Sequence, residues 1–333
     1  MPSSVPPTEP LRVAPPPGSP LVTHVSHAAM ATNFVVLLPE NQSHQVETAV
    51  QALESLDDIE AKLTVYRPTS EVSRINQGGQ QWTKVSAETF SIIEKAILWS
   101  TQTNGAFDIS AGPLIEAWGF TQRSGRKPNQ AQIETALQQV GYQFIELDVD
   151  TRRVRFAKPG MSINLGAIGK GEALDCVKRY LMHAGVDDFL IHGGSSSVVA
   201  RGDQFPGSEL GWAVGIAHPT KPKHRLAGVW LKNASVATSG SGKQFFHHKG
   251  KRFGHVIDPR TGYPAGDLLS LTVLTNSAAD ADAMATGLFV AGTPSFESMR
   301  TAPWWPTLIS VAAATRQDEV QVTSQGEIVW VDE

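Results

Sequence analysis

The order of helical and strand-like segments is the feature that most limits the fold of this sequence. Apolar residues recur at helical spacing in several segments, and short apolar runs of strand type lie between and after them. The two kinds of segment do not alternate with the regular period of a parallel βαβ fold. The sequence therefore predicts an α+β fold with mixed sheets and packed helices, in one globular unit that could divide into two lobes.

Apolar spacing and capping residues place the main predicted elements. Helices are predicted over 46–63, from Ser86 toward Gly105, from Asn129 toward Gly141, and around Leu174, Val177 and Leu181 up to Gly185. Strands are predicted over 144–147, 154–156, 189–191, 212–216, 226–231, 270–274, 308–311 and 320–322.

Composition excludes several classes of protein. The 333 residues are 41% hydrophobic and 18% charged, which is enough for one or two substantial cores. The net charge is −4, and Lys and Arg are dispersed apart from short runs at 221–225 and 249–252, so we expect no nucleic-acid partner. Because Cys176 is the only cysteine, the chain has neither an internal disulfide nor a multi-cysteine zinc site.

The N-terminal segment is rich in Pro and Ser. We expect residues 1–22 to form a disordered leader and residues 23–333 to form the folded domain. The leader has no apolar run long enough for a signal-peptide core, and no cysteine to lipidate, and we expect no membrane span. These features favour a cytoplasmic location by default, with a trimmed export signal as the open alternative.

A carboxylate and a hydroxyl four residues apart provide the first chemical signal. Asp282 and Thr286 lie in the segment 278–291, where helical spacing puts them on one face of an otherwise apolar helix. They would form half of a site for a hard cation. The other half is the glycine-rich segment NLGAIGKG at 164–171, which leads into a helix and carries Lys170. Together they indicate a Mg²⁺–diphosphate enzyme, although a purely structural helix start would explain the glycines equally well.

Two further segments combine turn residues with polar side chains. GHVIDPRTGYP at 254–264 carries His255 and Asp258 on a turn built by Pro259 and Gly262. GAFDISAGPL at 105–114 places Asp108 between two glycines. Each has a simpler interpretation, a solvated turn for the first and a helix-to-loop corner with a hydrogen-bonded acid for the second.

Seven segments in this order resemble the ApbE family of FAD:protein FMN transferases. They span nearly all of the expected globular domain and lie at 30–32, 63–76, 105–120, 164–175, 237–240, 255–262 and 279–292. The resemblance implies an ApbE-like fold and an enzyme that binds FAD with Mg²⁺ and cleaves its diphosphate. It also implies transfer of FMN, through a phosphoester, to a Thr or Ser hydroxyl of an acceptor protein, with release of AMP.

The resemblance also implies roles for individual residues. The residues that it implies for FAD binding are Met30, Tyr66, Ala106, Phe107, Asp108, Asn164, Lys170 and His255. Tyr66 and Phe107 have rings that can stack, and Lys170 would lie near the phosphates. The implied Mg²⁺ ligands are the side chains of Asp282 and Thr286 and the backbone carbonyl of Ala167. The implied catalytic residues are Asp282 and His255, the latter as proton acceptor for the incoming hydroxyl.

The sequence departs from the family pattern at two places. Asn164 stands where the family usually has an acid, which removes a charge near the substrate. The segment IHGGSSSVVARG at 191–202 has His192 for the usual asparagine and serines where an acid is expected. The first departure implies a shift in the affinity or orientation of FAD. The second implies either a different acceptor or a neutral variant of the loop.

Three other interpretations remain open at this stage. An FAD diphosphatase would use the same site with water in place of the acceptor hydroxyl. A non-catalytic flavin-binding protein would need no metal, and an unrelated α+β domain would make all seven segments coincidental. No flavinylation-type Ser/Thr segment stands out within the chain, so we expect the acceptor to be another polypeptide. Family members are often exported to the periplasmic side of the membrane, which leaves the compartment open.

Overall fold

The structure is a computed structural model that describes residues 12–13, 18, 21–121, 125–221, 223–240, 242, 245–314 and 319–332. Its α-helices are α1 Val46–Glu54, α2 Leu56–Leu63, α3 Glu71–Gly78, α4 Ala87–Gln102, α5 Gly112–Ala117, α6 Gln130–Leu137, α7 Gly169–His183, α8 Ala278–Ala291 and α9 Thr293–Met299. Short 3₁₀ turns occupy Glu40–Gln45 and Tyr142–Phe144. Within this described part, no helix is both long and apolar enough to cross a bilayer.

The strands form four sheets. The largest has eight strands, β2 Val22–Ala29, β3 Thr32–Pro39, β7 Phe189–Gly193, β8 Ser197–Arg201, β11 Ala234–Gly240, β14 Ser270–Thr275, β15 Thr307–Ala313 and β16 Val320–Gln325. A second sheet contains β1 Arg12–Val13, β9 Trp212–Ala217, β10 Arg225–Leu231 and β17 Trp330–Val331. The small sheets are β4 Thr83–Lys84 with β5 Ile145–Asp148 and β6 Arg153–Phe156, and the hairpin β12 Phe245–His248 with β13 Lys251–Gly254.

The eight-stranded sheet is the central layer of the molecule. Its order is β16-β15-β14-β11-β8-β7-β3-β2, and every neighbouring pair is antiparallel. Helices α1, α7 and α8 cover one face, and the four-stranded sheet packs on the other. The α+β architecture with mixed helices and antiparallel sheets confirms the predicted fold class.

The inner strands of the central sheet are buried on both faces, and their successive side chains alternate between the two faces, whereas the edge strands β2 and β16 carry exposed side chains. In β7, Phe189 and Ile191 pack under the helices, whereas Leu190 packs against the second sheet. In β15, Leu308 faces the helices and Ile309 the second sheet. Because both faces need apolar side chains, β7 and β15 read in the sequence as continuous apolar runs, which is why strands were predicted at 189–191 and 308–311. The strands β2, β3, β8 and β11 of the central sheet were not predicted.

The predicted helix over 46–63 is corrected by the structure. It is two helices, α1 and α2, separated at Ser55. The Ser55 hydroxyl donates to the carbonyl oxygen of Ala52 at 2.7 Å, and this local bond competes with the regular helical pattern. The other helix starts match the predictions, since Ser86 accepts from the amide of Thr89 to cap α4, and Asn129 caps α6.

The predicted leader lies mostly outside the described residues. Its described part includes β1, in which Arg12 and Val13 pair in parallel with Trp330 and Val331. Val22, the last residue of the predicted leader, begins β2. Disorder of residues 1–11, 14–17 and 19–20 stays a prediction.

Helices α7 and α8 meet in close backbone contact near their N-termini. A Cβ atom on Gly171 would collide with the carbonyl oxygen of Ala278, so only glycine allows this approach. The buried Asp175 then caps α8 from the neighbouring helix, accepting bonds from the amides of Ala278 and Ala279, both at 3.0 Å, and from the Ser277 hydroxyl at 2.8 Å. These contacts fix the relative position of the two helices.

Replacement of Asp175 by Ala should lower the free energy of unfolding by about 2–4 kcal/mol. The substitution removes a charged acceptor of three bonds and leaves two buried amides of α8 without a partner. Urea denaturation followed by far-UV circular dichroism measures the loss.

The matched control is Asp57→Ala, which removes an exposed carboxylate paired with His27. Exposed pairs contribute about 0–1 kcal/mol, so this variant should unfold close to wild type. Equal losses in the two variants would show that Asp175 does not stabilise the helix junction.

Candidate active site

Asp282 is a buried carboxylate at the junction of α7 and α8. Its Oδ2 accepts a bond from the backbone amide of Gly171 at 2.7 Å, and its Oδ1 accepts one from the hydroxyl of Ser197 at 2.7 Å. The ammonium of Lys170 lies 3.7 Å from Oδ2. Two charge-assisted bonds and a neighbouring cation together offset the cost of burying this carboxylate.

Thr286 lies one helical turn after Asp282, as the four-residue spacing predicts. Its Oγ1 lies 2.9 Å from the Oγ of Ser239 in β11. Side-chain alternation explains why the sheet presents hydroxyls here, because Ser197 shares the helix-facing side of β8 with Val199, and Ser239 shares that side of β11 with Ala237. The face of the central sheet beneath α8 therefore carries hydroxyl oxygens, and oxygen atoms are the ligands that hard cations prefer.

The glycine-rich turn at 164–171 is held by side-chain amides. The side-chain Oδ1 of Asn164 accepts a hydrogen bond from the backbone amide of Gly166 at 2.8 Å. The backbone amide of Asn164 donates to the carbonyl of Ile109, also at 2.8 Å. Asn76 pairs with both backbone groups of Ile163, at 2.8 and 3.0 Å. The turn then enters α7 at Gly169, one residue before Lys170. The predicted helix start is confirmed.

Met30 stands at a strained turn beside this helix start. Met30 and Ala31 join β2 to β3 with φ angles of 52° and 58°, in the left-handed region that disfavours side chains. The Glu60 carboxylate accepts the amide of Met30 at 2.8 Å and holds the turn. The Cε of Met30 lies 3.4 Å from where a Cβ on Gly169 would be, so its side chain abuts the turn that carries Lys170.

Asp108 is held by two backbone amides. Its carboxylate accepts from Ser110 at 2.7 Å and from Tyr142 at 2.9 Å. Burial raises the pKa of Asp108 above its ordinary value, and the bonds from Ser110 and Tyr142 act in the opposite direction. A Cβ on the preceding Gly105 would lie 3.8 Å from the Cγ of Arg260, which brings the turn at 258–262 against this corner.

Ala106 and Phe107 are each 1% exposed. The ring of Phe107 packs in the helix-side core, and its Cβ lies 3.1 Å from where a Cβ on Gly287 would be. The segment 106–108 therefore lies against the turn of α8 that carries Thr286. Because the Phe107 ring is enclosed by protein, the core would have to rearrange before this ring could stack on a flavin. The backbone of the segment 106–108 could contact a ligand without such a rearrangement.

Tyr66 and His255 lie on other elements. Tyr66 follows α2 and is 71% exposed, so its ring is free to stack on a ligand. His255 follows β13 directly and packs edge-on against Phe120, with ring centroids 6.4 Å apart. In the next turn, Asp258 binds the guanidinium of Arg260 through both carboxylate oxygens at 2.9 Å, so this acid is engaged in holding the turn.

The contacts thus join most of the predicted residues. Lys170 lies beside Asp282, and the side chain of Met30 lies against Gly169. The backbone amide of Asn164 bonds to Ile109, the residue after Asp108, and so joins the glycine-rich turn to that segment. Ala167 lies within the same turn, partly buried.

Sequence reasoning missed the two serines that face α8. Ser197 belongs to the segment 191–202, which departs from the family pattern, and its strand β8 was not among the predicted strands. The signal was the alternation that begins at Ser197 and continues through Val199. Ser239 lies in the 237–240 segment but was given no role of its own.

The donor set around Asp282 is incomplete without a ligand. No group of three or more His, Cys, Asp or Glu side chains within the described ranges could hold a metal ion. A carboxylate and a hydroxyl one turn apart, beside the turn that contains Ala167, suit Mg²⁺, which commonly takes one or two carboxylates and completes its shell with water and phosphate oxygens. The arrangement can therefore act on a phosphate-bearing substrate that supplies the missing oxygens.

Comparison with known proteins identifies the family of this chain. The family model described as the ApbE family matches residues 30–302. The chain is 33% identical to the FAD:protein FMN transferase of Haemophilus influenzae, over 75% of this chain and 73% of that protein. It is 33% identical to that of Klebsiella pneumoniae, over 80% and 82%. The crystal structure of the ApbE protein from Thermotoga maritima superposes with a TM-score of 0.80 at 29% identity, covering 90% of this chain and 97% of that one. The chain belongs to the ApbE family.

Proposed function

We propose that this protein is an FAD:protein FMN transferase that attaches FMN to a Thr or Ser hydroxyl of an acceptor protein and releases AMP. The observation that carries the proposal is the junction at Asp282, where a buried carboxylate, Lys170 and a glycine-rich helix start meet. Similarity to proteins named FAD:protein FMN transferase supports the same activity, with FAD as the substrate.

The residues around Asp282 fit a Mg²⁺ ion. Asp282 and Thr286 would hold it through their side chains and Ala167 through its carbonyl. Two observations support the binding of Mg²⁺ by these residues. Their donor atoms are hard oxygens, and the hydroxyls of Ser197 and Ser239 in the central sheet orient Asp282 and Thr286, respectively. Bound there, Mg²⁺ supplies positive charge that neutralises the diphosphate and its departing oxygen.

FAD would lie along the surface that joins Met30, Tyr66, the segment 106–108 and Asn164. Among the described residues, the side chain of Asn164 bonds through its Oδ1 to the amide of Gly166, which leaves its Nδ2 to donate to a ligand. This gives the side chain a neutral hydrogen-bonding role where the family usually has a charge.

The transfer follows from the charges in this arrangement. The acceptor oxygen attacks the FMN-side phosphorus, and the bond between that phosphorus and the bridging oxygen breaks. AMP leaves with the electron pair, while Lys170 stabilises the developing negative charge. The proton of the acceptor hydroxyl passes to His255, which then releases it to solvent. Lys170 is well placed for this role, because its ion pair with Asp282 holds the ammonium at the helix start.

The proposal is tested by incubating the protein with FAD and Mg²⁺, with and without an acceptor domain. Release of AMP and denaturation-resistant flavin fluorescence on the acceptor are followed together. AMP with covalent flavin supports the transferase. Release of AMP with only free FMN would identify a diphosphatase, and tight FAD binding without AMP release would identify a binding protein. Either result overturns the proposal.

Asp282→Asn should lower Mg²⁺-dependent AMP release by about two orders of magnitude, because it keeps the shape of the side chain and removes its charge. FAD should still bind. The assay measures AMP release across a Mg²⁺ titration and FAD binding by flavin fluorescence.

Asp280→Asn is the matched control for that variant. Asp280 lies two residues earlier on α8 and accepts the indole N–H of Trp99 at 2.8 Å, with Lys95 at 3.7 Å. Its removal should leave the Mg²⁺ dependence unchanged. A normal Mg²⁺ titration in Asp282→Asn would remove Asp282 from the metal site.

His255→Ala should slow transfer by about 10²-fold or more while FAD binding stays close to wild type, since a general base acts on the chemical step. Single-turnover transfer with saturating FAD measures the effect. His183→Ala, at the exposed C-terminal end of α7, controls for loss of an imidazole. A full transfer rate in His255→Ala would exclude this residue as the base.

A further inference from the structure

The hairpin formed by β12 and β13 carries a concentrated positive charge in a chain of net charge −4. Residues 239–257 contain Lys243, Lys249, Lys251, Arg252 and three histidines, and no Asp or Glu. The residues 245–254 are called the basic hairpin below. Its charge has no role in the reaction described above, although the hairpin leads directly into His255.

The basic hairpin presents cations and imidazoles outward. His247, His248, Lys249 and Arg252 are exposed, and so is the ring of Phe245, at 42%. The guanidinium of Arg252 lies 3.9 Å from the centroid of that ring, which holds the cation flat on the surface. A neighbouring segment adds charge, since Arg126 and Lys127 are exposed and the ammonium of Lys127 lies 5.8 Å from the ring centroid of Phe253.

The opposite side of the hairpin is fixed to the domain by aromatic rings. Phe246 and Phe253 stack with centroids 5.5 Å apart, and Phe253 packs on the buried Trp118 at 5.4 Å. The indole N–H of Trp118 donates to the carbonyl of Gly262 at 2.8 Å. The hairpin and the turn that follows His255 are thus joined through one indole, so the exposed charges keep a defined position relative to the histidine.

We propose that the basic hairpin is the docking surface for an acidic segment of the acceptor protein. This inference rests on the proposed function, which requires a protein hydroxyl to reach His255. A surface next to His255 is where such a partner must sit, and its charge is opposite to that of an acidic segment. Complementary charge at the edge of a site speeds encounter and fixes orientation more than it adds affinity. An acceptor segment rich in Asp or Glu near its Thr or Ser fits this surface.

The test compares two variants with the same change in charge. Lys249→Asp/Arg252→Gln removes cations from the basic hairpin. Lys249 has a φ of 49° in a two-residue turn with Gly250, a conformation that Asp tolerates. Arg152→Asp/Arg155→Gln is the matched control on the β4–β6–β5 sheet, because Arg152 has a φ of 52° and the guanidinium of Arg155 lies over the ring of Trp82 at 4.5 Å.

Fluorescein-labelled hexadecaglutamate is the binding probe, used at low and high salt. We expect it to bind wild type and the control alike and to bind the hairpin variant about ten-fold more weakly, with the difference shrinking at high salt. Equal binding by all three proteins, or no binding to wild type, would overturn the proposal. So would hairpin-dependent binding of an RNA hexadecamer or of phosphatidylserine vesicles that is tighter than that of hexadecaglutamate.

Transfer kinetics separate this inference from the proposed function. With an acceptor domain that wild type flavinylates, the hairpin variant should show a several-fold higher KM for the acceptor and an unchanged kcat. An unchanged KM would refute docking at the basic hairpin and leave the transferase standing. Absence of covalent flavin with every acceptor would refute the proposed function, and the hexadecaglutamate result would still decide whether the hairpin binds acidic chains.

Discussion

The backbone contact between α7 and α8 at Gly171 and Ala278 governs the position of every charged group at the candidate active site. Because no side chain separates the helices there, the amide of Gly171 reaches the carboxylate of Asp282, and Asp175 reaches the start of α8. Lys170, one residue before the contact, is carried to the same carboxylate. A fixed distance between two helix starts thus sets the spacing of the Asp282 carboxylate and the Lys170 ammonium, and the apolar packing of α8 keeps that distance constant.

The central sheet provides the second constraint. It is covered on both faces, so its strands have little freedom to shift, and the hydroxyls of Ser197 and Ser239 are presented to α8 from a rigid base. Polar groups placed this deep must be bonded, and every buried side-chain nitrogen and oxygen in the described part of the chain has a partner. A site built on such a base can keep its geometry while the turns around it bind a large substrate.

Much of this arrangement could be predicted from the sequence. Apolar periodicity gave the α+β class and about half of the described elements, and the spacing of Asp282 and Thr286 correctly placed them one turn apart on one helix. The break at Ser55 was missed because the apolar stripe continues across it, and periodicity does not register a single local side-chain bond. The burial of Phe107 and the serines beneath α8 depend on which strands become neighbours. β8 pairs with β11, whose residues lie more than thirty positions away, and no local pattern encodes that pairing.

The pairing of β1 with β17 has a consequence for how the chain folds. Arg12 lies beside Trp330, and the sheet they join packs on the central sheet, whose neighbours β3 and β7 are also far apart in sequence. Contacts of such long sequence separation carry a large loop-closure cost and slow the search for the native state. During synthesis, β1 cannot pair with β17 until Trp330 and Val331 have left the ribosome, so this part of the second sheet is completed late. The helix-covered side, whose α1 and α7 come earlier in the chain, is the half that can begin to assemble first.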